Sequence, residues 1–182
     1  MPLPPFVSCP DRIQAADLES GTWIVILRAD EIPHVAMLQE GVCYSLEHDS
    51  NRTYPARKLW RLLEARQIPA VLCELGPEAR GSVAATYSAH DCIEGDGDCF
   101  LPVRDYCATW LPEAAACSFP YELVPLLSAT GRFVRAATRN LPTDPATSGV
   151  LLPTYSREQI RERIAEVRRT IRANGTRSPE FS

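Results

Sequence analysis

The chain has 182 residues, of which 45% are hydrophobic and 23% charged, and its formal net charge is −4. This length suits one domain with a buried core, and the acidic balance argues against nucleic acid as a partner because phosphate binding needs a basic surface. No run approaches the roughly 20 apolar residues of a membrane helix, and Met1 to Pro10 lack the pattern of a signal peptide. We therefore expect a cytoplasmic protein with no membrane partner, whose seven cysteines are reduced thiols.

In the first part of the chain, short apolar runs alternate with turns. Residues 1–9 are typical of an extended arm, and Pro10 suits the first turn of a short helix that continues to about Leu18. The apolar and β-branched runs that follow predict an antiparallel meander of three strands, over residues 22–28, 34–39 and 42–47. Residues 49–53 are predicted to form a loop.

In the second part, proline marks the start of the predicted helices. Leucines at helical spacing predict a helix from Pro55 to Arg66, and an apolar run that begins at Pro120 predicts another over residues 120–130. Strands are predicted over residues 70–75 and 82–87, and residues 133–139 are predicted to be a last strand or an extended segment. Pro102 fixes the start of a further helix, over about residues 99–111, because proline is tolerated only in the first turn. Cys99 therefore lies at or beside the N-terminus of that helix.

The predicted fold class is α+β, with an antiparallel sheet and the cysteine-bearing helix packed against it in residues 1–140. Residues 141–154 are rich in proline and typical of a linker, residues 155–175 form an amphipathic helix, and residues 176–182 are a tail. The helix carries one narrow apolar stripe, formed by Ile160, Ile164, Val167 and Ile171. We expect the stripe to pack on the parent domain, which gives a monomer, with a homodimer through this helix as the alternative.

The candidate chemistry belongs to a cysteine and a histidine. A thiol at a helix N-terminus meets the positive end of the helix dipole, which favours the thiolate. His34 begins a predicted strand, and if the fold brings that strand beside the helix, its imidazole takes the proton of Cys99. Backbone N–H groups near Asp98 and Cys99 would then hold an oxyanion. Glu94, Asp96 and Asp98 are expected to cap the helix, although their charge would oppose a thiolate if close to it.

A third residue would orient the imidazole. His48 is the first candidate, and Glu47 and Asp49 are the alternatives, because all three lie at the end of the strand predicted to pair with the strand of His34. Strand alternation does not choose among them if the strand frays at Glu47.

The run from His34 to His48 resembles the signature of the NlpC-type papain-like hydrolases: histidine, apolar strand, turn with glycine, apolar strand and polar residue. In their circularly permuted branch, which includes lecithin–retinol acyltransferase-like enzymes, the histidine strand precedes the cysteine helix, as it does here. The resemblance spans about residues 22–135 and includes Phe119-Pro120-Tyr121-Glu122-Leu123, which is similar to the start of a second helix. It implies Cys99 as nucleophile, His34 as base and His48 as the orienting residue, with a peptide-like or acyl substrate and no cofactor.

Two other interpretations of the sequence remain open. A metal could be held by His90, Asp91, Cys92 and Cys99, but the close paired spacings of zinc sites are missing, and we expect no metal. The second alternative is a non-catalytic protein-binding module on the same fold, which would use the C-terminal helix to bind a partner.

Overall fold

The computed structural model of the chain describes residues 6–47, 50–90 and 98–174. Within these ranges the fold is α+β, with five α-helices and two antiparallel sheets. The strands are β1 (Phe6–Ser8), β2 (Thr22–Leu27), β3 (His34–Gln39), β4 (Val42–Leu46), β5 (Asn51–Pro55), β6 (Ala70–Leu75), β7 (Phe133–Arg139) and β8 (Gly149–Leu151). The helices are α1 (Ala56–Arg66), α2 (Val83–Ser88), α3 (Leu101–Ala108), α4 (Pro120–Ala129) and α5 (Arg157–Asn174), and two short 3-10 helices are Ala15–Glu19 and Pro112–Ala116.

The larger sheet has six strands in the order β5-β4-β3-β2-β6-β7, and each neighbouring pair is antiparallel. The predicted meander of β2, β3 and β4 is confirmed. Strand β2 lies inside the sheet and is apolar on both faces, which explains its continuous run of apolar residues. The smaller sheet is the antiparallel pair of β1 and β8.

Helices cover both faces of the large sheet. We call one the α1 face and the other the α3 face, after a helix that packs on each. The α1 face carries Trp23, Val25 and Leu27 of β2 in one buried cluster with residues of α1. The α3 face carries the alternate β2 residues in a second cluster with residues of α2, α3, α4 and the small sheet. The site described below lies where these two layers meet the first residue of β3, His34.

Residues 83–87 belong to helix α2 and Ser82 is its N-cap, so the strand predicted over residues 82–87 is wrong. The Ser82 side chain accepts a hydrogen bond from the Ala85 amide at 3.1 Å, as a helix N-cap does. Val83 and Tyr87 are the buried residues of α2, and their spacing of four is one helical turn. Residues four apart also lie on one face of a strand, because strand side chains alternate with a period of two. The apolar pattern of this short segment therefore fits both a helix and a strand.

Residues 51–55 form strand β5, although residues 49–53 were predicted as a loop. Its sequence, Asn-Arg-Thr-Tyr-Pro, has little apolar character, because β5 is one of the two edge strands and pairs with β4 only. The C-terminal part of the predicted linker is also paired, since β8 lies within it. The predicted N-terminal helix is reduced to the 3-10 helix Ala15–Glu19. Among the described residues, no helix has the length and apolar character to cross a membrane.

Candidate functional site

A cleft lies at the end of the large sheet where β3 begins, and its volume is about 140 Å³. Its walls come from the turn before β3, the turn before α3, the start of α4 and one side of α5. The lining residues are Arg28, Ile32, Pro33, His34, Asp98, Cys99, Phe100, Ser118, Phe119, Pro120, Tyr121, Ile160, Arg163, Ile164 and Val167. The fold therefore brings Cys99 and His34, which are 65 positions apart in the sequence, to one cleft.

Cys99 lies in the turn just before α3, which begins at Leu101 and is shorter than predicted. The Asp98 carboxylate accepts hydrogen bonds from the amides of Phe100 and Leu101, at 2.8 and 3.0 Å, and so caps the helix. The predicted capping role of Asp98 is confirmed. These two amides point at a carboxylate, so they are not donors for an oxyanion while the cap is in place.

Cys99 differs in exposure from the other described cysteines. Six cysteines of the described ranges are free thiols, and five of them are buried while Cys99 is partly exposed. Burial raises the pKa of Cys9 and of Cys43 to about 12. Burial likewise raises the pKa of Cys73, Cys107 and Cys117 above the ordinary thiol value. Because the thiolate is the nucleophile, Cys99 is the described thiol best placed to react.

The imidazole of His34 is held by a residue that the sequence analysis missed. Nε2 of His34 lies 2.8 Å from Oγ of Ser45, and Ser45 is fully buried in β4. The hydrogen bond fixes the ring, and the tautomer decides which of the two groups donates. The sequence signal that could have identified Ser45 is a hydroxyl inside the apolar run of β4, since a buried serine needs a hydrogen-bond partner.

Strand register gives the side of the sheet from which His34 projects. His34 pairs with Leu27 across β3 and β2, and Leu27 belongs to the cluster on the α1 face. Cross-strand partners share a face, whereas Cys99 packs against the cluster on the α3 face. The two residues thus approach the cleft from different layers. They line it together at the first position of β3, where His34 also lines a second cavity beside Leu27 and Arg66.

Glu47, one of the alternatives for the orienting residue, is only 2% exposed and follows β4 directly. Its Oε2 lies 3.0 Å from Nε of Arg52, whose side chain is 39% exposed. This ion pair accounts for a carboxylate that would otherwise be costly to bury. The other two candidates, His48 and Asp49, lie outside the described residues. The contact that the structure gives His34 Nε2 is with Ser45 of β4.

The described residues offer no cluster of three or more side chains suited to a metal ion. Among the residues considered as metal ligands, His90 contacts Asp105. Nε2 of His90 lies 3.1 Å from Oδ2 of the Asp105 carboxylate. Asp91 and Cys92 fall outside the described ranges. Neither a metal nor a cofactor enters the chemistry considered below.

Comparison with known proteins identifies no relative of this chain. Searches against protein-family models, curated proteins and solved structures found no significant match to the chain. The chemistry of the site therefore has to be argued from its own residues.

Proposed function

We propose that the protein is a thiol-dependent hydrolase or acyltransferase, with Cys99 as nucleophile and His34 as base. The observation that carries this proposal is that Cys99, the partly exposed thiol, and His34, the imidazole held by Ser45, line the same cleft. A nucleophile, a base and a group that orients the base are the three parts that such a reaction needs. The resemblance to permuted papain-like hydrolases supports the same assignment.

In the proposed reaction, Sγ of Cys99 attacks the carbonyl carbon of an amide or ester while the thiol proton passes to His34. The protonated imidazole then gives that proton to the leaving amine or alcohol, and a thioester on Cys99 remains. Water or an acceptor alcohol or amine resolves the thioester, again with His34 as base. The hydrogen bond between Ser45 and Nε2 holds the imidazole ring during these steps.

Selective alkylation tests the assignment without knowledge of the substrate. We expect iodoacetamide to modify Cys99 first, because the other described thiols are buried, and we expect His34→Gln to slow this modification by about 100-fold or more near neutral pH. Mass spectrometry of each cysteine-containing peptide over a pH series measures both effects. Burst release of p-nitrophenol from p-nitrophenyl acetate, lost in Cys99→Ser, reports acyl transfer to the thiol.

His90→Gln is the matched control, because it removes another partly buried imidazole that does not line the cleft. Its rate of Cys99 modification should equal that of the unchanged protein. Equal rates in His34→Gln and in the unchanged protein at every pH would contradict the role of His34.

Two structural features favour a second candidate, a non-catalytic binding module. His34 projects from the α1 face while Cys99 packs on the α3 face. Asp98, the residue before Cys99, lines the same cleft, and the negative charge of a nearby carboxylate opposes a thiolate. On this second proposal the cleft binds a partner without chemistry. The alkylation experiment separates the two, because a binding module has no reason to make Cys99 reactivity depend on His34.

A further inference from the structure

Helix α5 forms one wall of the cleft that contains Cys99. Ile160, Ile164 and Val167, three members of the predicted apolar stripe, all line the cleft. Each of these three side chains is partly buried, and the expectation that the stripe packs on the parent domain stays a prediction. The side chain of Ile171 lies outside the description.

The space that remains beside Cys99 is small. The cleft has a volume of about 140 Å³, whereas pockets for drug-sized ligands commonly have roughly 300–1,000 Å³. The apolar stripe of α5 forms one side of this space. With α5 in place, the cleft is therefore smaller than the pockets that commonly hold drug-sized ligands.

The attachment of α5 is polar at its beginning and apolar along the cleft. Just before the helix, Tyr121 donates a hydrogen bond from its hydroxyl to the backbone oxygen of Tyr155 at 2.6 Å. In the first turn, Arg157 Nη2 donates to Ser118 Oγ at 3.1 Å. Further along, Arg163 bonds within the helix to Glu166 at 2.9 Å. The hydrogen bonds of Tyr155 and Arg157 give α5 a fixed beginning, about which the later turns of the helix would pivot.

We propose that α5 is an autoinhibitory plug of the Cys99 cleft, which must pivot away before a substrate larger than a short acyl group reaches the thiol. The proposal rests on the proposed function in one respect, since the gated group is the thiol of Cys99. The occupant of the cleft is the helix of the same chain, joined to the domain through β8 and the residues that follow it. Substrate access is then set by the open fraction of the helix.

Access to Cys99 by a bulky reagent tests the plug. Ile164→Glu puts a charge into an apolar wall, which favours the displaced helix, and Val167→Glu does the same one turn later. We expect each variant to raise the rate of Cys99 modification by a polyethylene-glycol maleimide about tenfold. The rate with iodoacetamide, which is small enough for the closed cleft, should change much less. Ala165→Glu adds the same charge at an exposed position of α5 and should leave both rates unchanged.

The fully buried Cys73 reports general unfolding in the same samples, so the readout is the ratio of Cys99 to Cys73 modification. If the ratio does not rise in either cleft variant, the plug is overturned. If the rate in the unchanged protein depends on protein concentration, the occupant is the helix of a second copy and the plug in the same chain is overturned. The ratio should rise equally in the His34→Gln background, because access does not require a base. A rise there with no effect of His34→Gln alone would support the plug and contradict the proposed chemistry.

Discussion

At the scale of single residues, the most consequential contact is the hydrogen bond between Ser45 and His34. Ser45 is fully buried and its hydroxyl lies 2.8 Å from Nε2 of the imidazole. A buried hydroxyl in an apolar strand costs free energy unless it is bonded. Its presence is therefore explained by the histidine, and the pair acts as one unit.

Ser45→Ala removes the group that holds the imidazole. We expect this change to lower the free energy of unfolding by about 1 kcal/mol, the usual net value of one hydrogen bond. Urea denaturation measures the change. If His34 is the base, the modification rate of Cys99 should also fall, with a smaller effect than that of His34→Gln. Ser45→Thr keeps the hydroxyl and should recover part of the rate. A loss of stability with an unchanged rate would make Ser45 a purely structural residue.

Asp98 combines two effects that oppose one another. Its carboxylate caps α3 through the amides of Phe100 and Leu101, and it brings a negative charge to the cleft that Cys99 lines. Asp98→Asn keeps an oxygen for the cap and removes the charge. We expect Asp98→Asn to raise the iodoacetamide rate of Cys99 near neutral pH several-fold, because the thiolate then meets the helix dipole without an adjacent carboxylate.

Asp98→Ala is the comparison for this variant, because it removes the charge and also the cap. We expect it to lower the free energy of unfolding by about 1 kcal/mol. Equal Cys99 rates in the unchanged protein and in both variants would show that the Asp98 charge does not reach the thiol.

At the scale of elements, α1 shows how the sheet is held on its first face. Leu59 and Leu63 are fully buried against the strands, while the α1 residue Arg61 faces solvent. The helix ends at Gln67, whose backbone is left-handed with φ 50° and whose N–H bonds back to the last turn. The pattern of leucines predicted this helix because its burial follows the helical period.

Leu63→Ala should lower the free energy of unfolding by about 2–5 kcal/mol, since it removes a large side chain from a packed site and leaves a cavity. Urea denaturation followed by circular dichroism measures the change. Arg61→Ala, at an exposed position of the same helix, should change it by no more than about 0.5 kcal/mol. Similar values for the two variants would contradict the packing described for α1.

At the scale of the whole molecule, Arg135 ties separate parts of the chain together. This β7 residue bonds to Glu74 of β6 at 2.6 Å and to Asp17 of the first 3-10 helix at 2.8 Å. Its guanidinium also lies 5.1 Å from the ring centre of Trp23. A hydrogen bond from the Gln14 amide, and then the bond from Arg135, lower the pKa of Asp17 below its ordinary value of 3.8.

This lowered pKa predicts the direction of an acid effect on stability. The Asp17 carboxylate stabilises the folded state fully above its unfolded pKa, and this contribution is lost as the pH falls through the lower folded value. We expect Asp17→Asn to be less stable than the unchanged protein near neutral pH, and the difference to shrink below about pH 4. Urea denaturation at several pH values measures the difference. Equal stabilities of Asp17→Asn and the unchanged protein at every pH would contradict this contribution of Asp17.

The long periodic segments were determined by the sequence itself. The strands β2, β3, β4, β6 and β7 and the helices α1, α4 and α5 lie close to where the apolar pattern predicted them, because burial on one or both faces imposes that pattern. The prediction that Cys99 precedes a helix also followed from local chemistry, since Pro102 can lie only in its first turn. The resemblance to papain-like hydrolases stays a prediction.

Tertiary structure alone decided the remaining features, because they depend on contacts between residues far apart in the chain. The edge strand β5 has almost no apolar pattern and exists through its pairing with β4. Ser45 became the partner of His34 only through the packing of β4 beside β3, and the register placed His34 on the α1 face. The position of α5 over the Cys99 cleft is of the same kind, since an apolar stripe shows that a helix will be buried but not against which surface.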